Sequence, residues 1–122
     1  MRILVLCCLF LAAPSSLAAS VWTLHIDTDN DPATGCDVTL GVTPFPGVEM
    51  QVITTVDAGI VSDVSRRDCT DPMTDSFGPP IPVSPGGWGV GMGLGDNGAD
   101  VIESFLPLDL IQGPAPKTVR LA

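Results

Sequence analysis

Tyrosine is absent from this sequence, histidine occurs once as His25, and lysine and arginine together number 5 against 14 aspartates and glutamates. Each shortage closes a class of function. A formal net charge of −9 repels nucleic-acid phosphate and anionic lipid by the same Coulomb law that draws in cations, so nucleic acid is excluded as a partner. One histidine and no Cys-x-x-Cys spacing exclude a zinc site. No nucleophile motif such as Gly-x-Ser-x-Gly accompanies His25, which reads as a solvent-facing strand residue, so no enzyme is expected. The glycine run Gly87 to Gly95 has no Lys-Ser/Thr behind it and is not a phosphate loop. Beyond residue 19 the long polar side chains that fill helix surfaces are scarce, while Gly, Pro, Thr, Val, Asp and Ser dominate, so the domain must be built from strands.

What is present begins with an address. Met1-Arg2 is followed by an apolar run from Ile3 to Ala13, then Pro14-Ser15-Ser16 and the small-residue stretch Leu17-Ala18-Ala19-Ser20, the layout of a secretory signal peptide cut after Ala19 or one residue earlier. The run is roughly a dozen residues, short of the ~20 that span a bilayer, so no membrane span is expected once residues 1–19 are removed. The destination is secretion, the periplasm or the cell surface. Cys7 and Cys8 leave with the signal, and Cys36 and Cys69 remain as a pair that an oxidising compartment would join. Such a disulfide would stabilise the fold by roughly 3 to 4 kcal/mol. Residues 20–122 are enough for one domain. The chain stops in or just after its last expected strand, as a truncated form of something longer would.

Val21 to Asp27 alternates, with Trp22, Leu24 and Ile26 on one face and Thr23, His25 and Asp27 on the other. Cys36 to Val42 reads as a second strand, broken by Pro44-Phe45-Pro46-Gly47. Val48 to Val56 alternates again, Asp57-Ala58-Gly59 turns, and Ile60 to Arg67 returns as a hairpin partner. Asp68 to Pro85 holds five prolines and is expected to be an irregular crossing loop. Gly87 to Gly95 reads as a strand with one bare face and one apolar face. Val101 to Leu106 makes another strand, 108–112 a single helical turn, and Lys117 to Leu121 the last strand. The pattern predicts an all-β, antiparallel β-sandwich of the Ig-like or jelly-roll type.

The strongest polar constellation is Asp27-Thr28-Asp29-Asn30-Asp31-Pro32-Ala33-Thr34-Gly35. Oxygens at alternate positions can converge on a hard cation, and calcium, with its six to eight oxygen ligands, suits them best. Pro32 and Val38 stand where an EF-hand needs glycine and glutamate, so ligands must come from elsewhere. The two glutamates, Glu49 and Glu103, each lie in a strand among apolar residues and complete the candidate set. The competing reading is a chain of Asx-turns at a strand end. Trp22 and Trp88 offer stacking faces for a sugar ring, although their apolar neighbours favour core packing and the lack of tyrosine counts against a sugar platform. Met50 and Met92, without a second histidine, read as core rather than haem ligands. No organic cofactor is expected.

The order of Ile26-Asp27-Thr28-Asp29-Asn30-Asp31-Pro32-Ala33-Thr34-Gly35, Gly47-Val48-Glu49 and Val101-Ile102-Glu103-Ser104-Phe105-Leu106-Pro107-Leu108 resembles the DOMON-like β-sandwiches, which include family 9 carbohydrate-binding modules. It is also similar to exported bacterial domains that precede a C-terminal sorting tail. The resemblance implies a sandwich that binds sugar, haem or only calcium, with Asp27, Asp29 and Asp31 in the strand-end loop and Glu49 and Glu103 on the glutamate-bearing strands. The aromatic sugar clamp, the haem-ligating pair and the sorting tail are not evident. The expectation is therefore an exported, non-enzymatic, calcium-stabilised domain whose partner is a glycan or a cell-surface component, with a carbohydrate-binding module and a haem-carrying electron-transfer domain as alternatives.

Overall fold

Period-two alternation commits a chain to strands, and the computed structural model, which describes residues 19–84, 86–104, 106 and 120–122, consists of strands, turns and one short 3-10 turn at Asp96–Gly98. The strands are β1 (Ser20–Asp27), β2 (Cys36–Leu40), β3 (Thr43–Val48), β4 (Met50–Asp57), β5 (Ile60–Asp71), β6 (Ser76–Phe77), β7 (Ile81–Pro82), β8 (Gly89–Gly91), β9 (Val101–Glu103) and β10 (Arg120–Leu121). The main sheet runs β10-β1-β4-β5-β6 with β7 also on β5, and β2–β3 and β8–β9 form two small ladders. Every pairing among the described residues is antiparallel, so the expected all-β antiparallel class holds. No helix among them is long and apolar enough to cross a membrane. Residues 1–18 of the expected signal segment, the helical turn at 108–112 and the first part of the last strand, 117–119, lie outside the described residues.

The central strand β4 obeys its pattern most closely. Met50, Val52, Thr54 and Val56 are buried on one face, and Ile26, Met50, Val52 and Val64 form the core, with Leu24, Val61, Val83, Trp88 and Leu106 packed around it. Burying each aliphatic side chain contributes roughly 1.5 to 3 kcal/mol, so this cluster is the main source of stability. The β4–β5 hairpin turns through Ala58 and Gly59 at φ 49° and 77°, the left-handed pair that matches strand twist.

Four expectations are corrected. The Pro44-Phe45-Pro46-Gly47 cluster does not end a strand; it is most of β3, tolerated because β3 pairs only with β2 and its proline nitrogens need no ladder partner. Asp68 to Pro85 is not an irregular crossing: β5 continues to Asp71, turns back, and supplies β6 and β7. Here side chains hold what proline withholds, because Arg67 donates from Nε to Gly78 O (2.8 Å) and from Nη2 to Phe77 O (3.0 Å). The glycine run is a strand only over β8, and its apolar face does not all reach the core. Beyond Gly91 the chain turns, leaving Met92 and Leu94 49% and 80% exposed. Trp22, at 42%, is also exposed rather than core, since the core covers only the second half of β1.

Candidate metal centre

The acidic loop grows out of the end of β1. Asp27 lies on the face opposite Ile26, where a lone sheet would leave it in water, yet it is fully buried because the loop and β3 fold over it. Two glycines permit that fold. A Cβ on Gly47 (φ 81°) would stand 2.6 Å from Asp31 O and 2.8 Å from Pro32 Cα; one on Gly35 (φ 68°) would stand 2.6 Å from Glu49 Oε1 and 2.7 Å from the Val48 carbonyl carbon. Only glycine fits either place.

Within the loop each aspartate bonds to backbone just ahead of it. Asp27 Oδ1 accepts from the N–H of Asn30 (2.6 Å) and Asp29 (3.3 Å), Asp29 Oδ1 from Asp31 N–H (2.9 Å), and Asp31 Oδ1 from Ala33 N–H (2.9 Å). These are the Asx-turns that the sequence allowed. They do not exhaust the oxygens. The Thr34 hydroxyl has four acceptors around it: Asp29 Oδ1 at 3.1 Å, and Asp29 Oδ2, Asp31 O and Glu49 Oε1 each at 3.0 Å. A hydroxyl has one proton to give, so these oxygens are crowded together with less positive charge than they can accept.

Ligand oxygens of Asp27, Asp29 and Glu49 lie within 4.8 Å of one another. Asp27, however, is already engaged on both oxygens. Arg120 reaches across from β10 to its Oδ2 through Nε (2.8 Å) and Nη2 (2.7 Å), while Nη2 also donates to Pro46 O and the guanidinium lies 4.7 Å from the centre of the Phe45 ring. Asp27 therefore shapes the loop, and Asp29, Glu49 and the Asp31 carbonyl present the available oxygens. Glu49 is oriented by Thr28, whose N–H donates to Oε2 at 2.7 Å. The donor set is all oxygen, which fits a hard cation such as calcium and not a thiophilic or imidazole-seeking metal.

The other expected ligands are not gathered here. The Asp31 carboxylate is turned to Ala33, so this residue contributes its carbonyl rather than its side chain. Glu103 is exposed on β9 opposite Gly89, in a ladder separate from the main sheet, which removes it from the site. Cys36 and Cys69 form the expected disulfide, with Cα atoms 5.7 Å apart. It anchors the exit of the loop beside Glu49, since Cys36 pairs with Val48 and Cys69 N–H donates to Glu49 O at 2.7 Å. Disulfides persist in oxidising compartments.

His25 does not face solvent freely. Its Nδ1 lies 3.4 Å from Gln51 Nε2, and burial lowers its pKa. Met50 is in the core, and Met92 lies over Gly59. Trp22 and Trp88 line one groove of about 280 Å³, together with Leu24, Val52, Ile102 and Ala122. Sequence reasoning missed Arg120, whose partner is 93 residues away, and the individual role of Thr34. Thr34 carried a signal, being a hydroxyl within a row of acidic oxygens; Arg120 carried none.

Fold and site together define an all-β antiparallel domain with a disulfide-anchored acidic loop at one end of its sheet. No family model, curated protein or solved structure matches the chain.

Proposed function

We propose that the chain is an exported, non-enzymatic domain of the DOMON-like sandwich kind, held together by calcium in its acidic loop and serving a binding or structural role at the cell surface or in the periplasm. The carrying observation is the Thr34 hydroxyl set among four acceptor oxygens. A divalent cation among Asp29, Glu49 and the Asp31 carbonyl would supply the missing positive charge, with further ligands from water. Arg120 supports the charge balance by neutralising Asp27, which leaves two carboxylates for one divalent ion.

Carbohydrate binding is the second reading, favoured by the exposure of Trp22 beside Trp88. Among the described residues that line the groove the polar ones are Thr23, Thr54 and Ser104, with no carboxylate, amide or guanidinium of the kind that holds sugar hydroxyls in place, and this ranks it below the first.

Thermal unfolding of the non-reduced protein, with calcium and then with chelator, tests the proposal. A ligand held at about 100 times its Kd adds about 2.7 kcal/mol, so chelation should lower Tm by at least several degrees. An unchanged melt overturns the calcium reading.

A further inference from the structure

Two segments of the chain share one sequence pattern and one turn. Asp31-Pro32-Ala33-Thr34 and Asp71-Pro72-Met73-Thr74 both read Asp-Pro-x-Thr. In each, the aspartate Oδ1 accepts from the backbone N–H two residues on, Ala33 at 2.9 Å and Met73 at 3.0 Å. In each, the aspartate carbonyl accepts from the threonine N–H, at 3.2 Å for Thr34 and 3.3 Å for Thr74. The threonine hydroxyl is what differs. Thr74 Oγ1 donates to the Asp71 carboxylate at Oδ2 (2.9 Å), whereas Thr34 Oγ1 lies 3.0 Å from the Asp31 carbonyl oxygen.

An Asp–Pro peptide bond is open to attack from within. The side-chain carboxylate is one ring closure from its own carbonyl carbon and needs no encounter to reach it. The nitrogen it would displace belongs to a tertiary amide, which leaves readily once it takes up a proton. At Asp31 the carbonyl oxygen has both the N–H and the hydroxyl of Thr34 directed at it, two donors placed where negative charge would develop. The hydroxyl has three other acceptors, but only Asp31 O gains charge during attack, so donation to it strengthens toward the transition state. The bond is also held in place. Gly47 packs on it so closely that a Cβ there would stand 2.6 Å from Asp31 O and 2.8 Å from Pro32 Cα, while Asp31 and Pro32 remain exposed to water. At Asp71 the arrangement is reversed: both carboxylate oxygens are engaged, and the hydroxyl is lost to the carbonyl.

We propose that the chain cleaves itself at the Asp31–Pro32 bond. A carboxylate oxygen of Asp31 attacks the Asp31 carbonyl carbon, and the C=O electron pair moves onto the oxygen that Thr34 faces. Collapse expels the Pro32 nitrogen, which leaves as an amine carrying a proton from solvent. The cyclic anhydride left on Asp31 takes up one water and opens to two carboxyl groups, so one water is consumed for one peptide bond broken.

The test incubates the full, non-reduced chain in the most acidic buffer that leaves its circular dichroism unchanged, and follows intact mass. Chelator is present throughout, so the outcome is independent of the calcium reading. A piece ending at Asp31 and one beginning at Pro32 should accumulate about tenfold faster than the pieces from Asp71–Pro72, a smaller factor than a dedicated oxyanion donor gives because the hydroxyl starts out shared. In urea the turns are lost, and the two bonds should break at similar rates, Asp31–Pro32 more slowly than in the folded chain. Asp31→Asn should stop cleavage at that bond. Thr34→Val, which keeps the N–H and removes the hydroxyl, should slow it toward the rate at Asp71. Three outcomes overturn the proposal: no break at Asp31–Pro32, a break no faster in the folded chain than in urea, or a rate that Thr34→Val leaves unchanged.

Discussion

Arg120 and Asp27, 93 positions apart, meet at 2.7 Å across adjacent strands, one of them wholly buried. The pair joins the end of the chain to the entrance of the acidic loop. Removing one partner of a buried ion pair leaves the other charge without compensation, which is worse than removing both. We expect Arg120→Met to destabilise by on the order of 2 to 4 kcal/mol in urea unfolding, below a fully enclosed pair because Arg120 remains 34% exposed. Combining it with Asp27→Asn should restore a good part of the loss. A double variant no better than the single one would show that the pair acts through packing on Phe45 instead.

The two glutamates should separate cleanly. Glu49→Gln removes one of the available carboxylates and should abolish the calcium dependence of Tm, whereas Glu103→Gln, on β9, should leave it intact. Parallel melts with calcium and chelator decide, and equal effects of the two substitutions would rule out the site as drawn.

Ala58 holds φ 49° in the β4–β5 turn, a conformation that costs a residue with a Cβ roughly 1 to 2 kcal/mol. Asn-Gly is the preferred pair for this turn. Ala58→Asn is expected to raise stability by roughly 0.5 to 1 kcal/mol and Tm by a few degrees, read by calorimetry.

Burial lowers the pKa of His25 from its usual 6.5, so the unfolded chain takes up a proton before the folded one does as pH falls. Its contribution to stability is present above that ordinary value and is lost as pH falls through it toward the lowered folded value. Protonation also converts Nδ1, the atom facing the Gln51 amide, from acceptor to donor. Unfolding free energy should drop between neutral and mildly acidic pH, and His25→Gln should flatten that part of the profile.

How much of this was legible in the sequence depended on how local its cause was. The β4–β5 hairpin was readable because alternation and a left-handed turn are properties of neighbouring residues. The fates of Pro44 and Pro46 were not, because proline ends an inner strand but not an edge strand, and edge position is a fact about the whole sheet. Asp27 and Asp29 were visible as loop acids and Glu49 as a strand acid; that the loop folds onto Glu49 followed from clearance at Gly35 and Gly47, which no spacing rule encodes. Glu103 looked equivalent to Glu49 in sequence, but Glu49, expected within a strand, sits in the break between β3 and β4 beside the loop, while Glu103 pairs with Gly89 in the β8–β9 ladder. Trp22 sat on the expected face of β1, but beyond the reach of the core.

The position of Arg120 also sets a timetable. A ribosome delivers β1, the loop, β4 and β5 long before it delivers β10, so the sheet can pair and the disulfide can close while the Asp27 carboxylate still lacks its counter-ion. Contacts spanning most of a chain form late, because the intervening loop must first be closed. Asp27 therefore gains its counter-ion only when β10 joins β1, and the entrance of the acidic loop is completed by a strand distant from it in sequence.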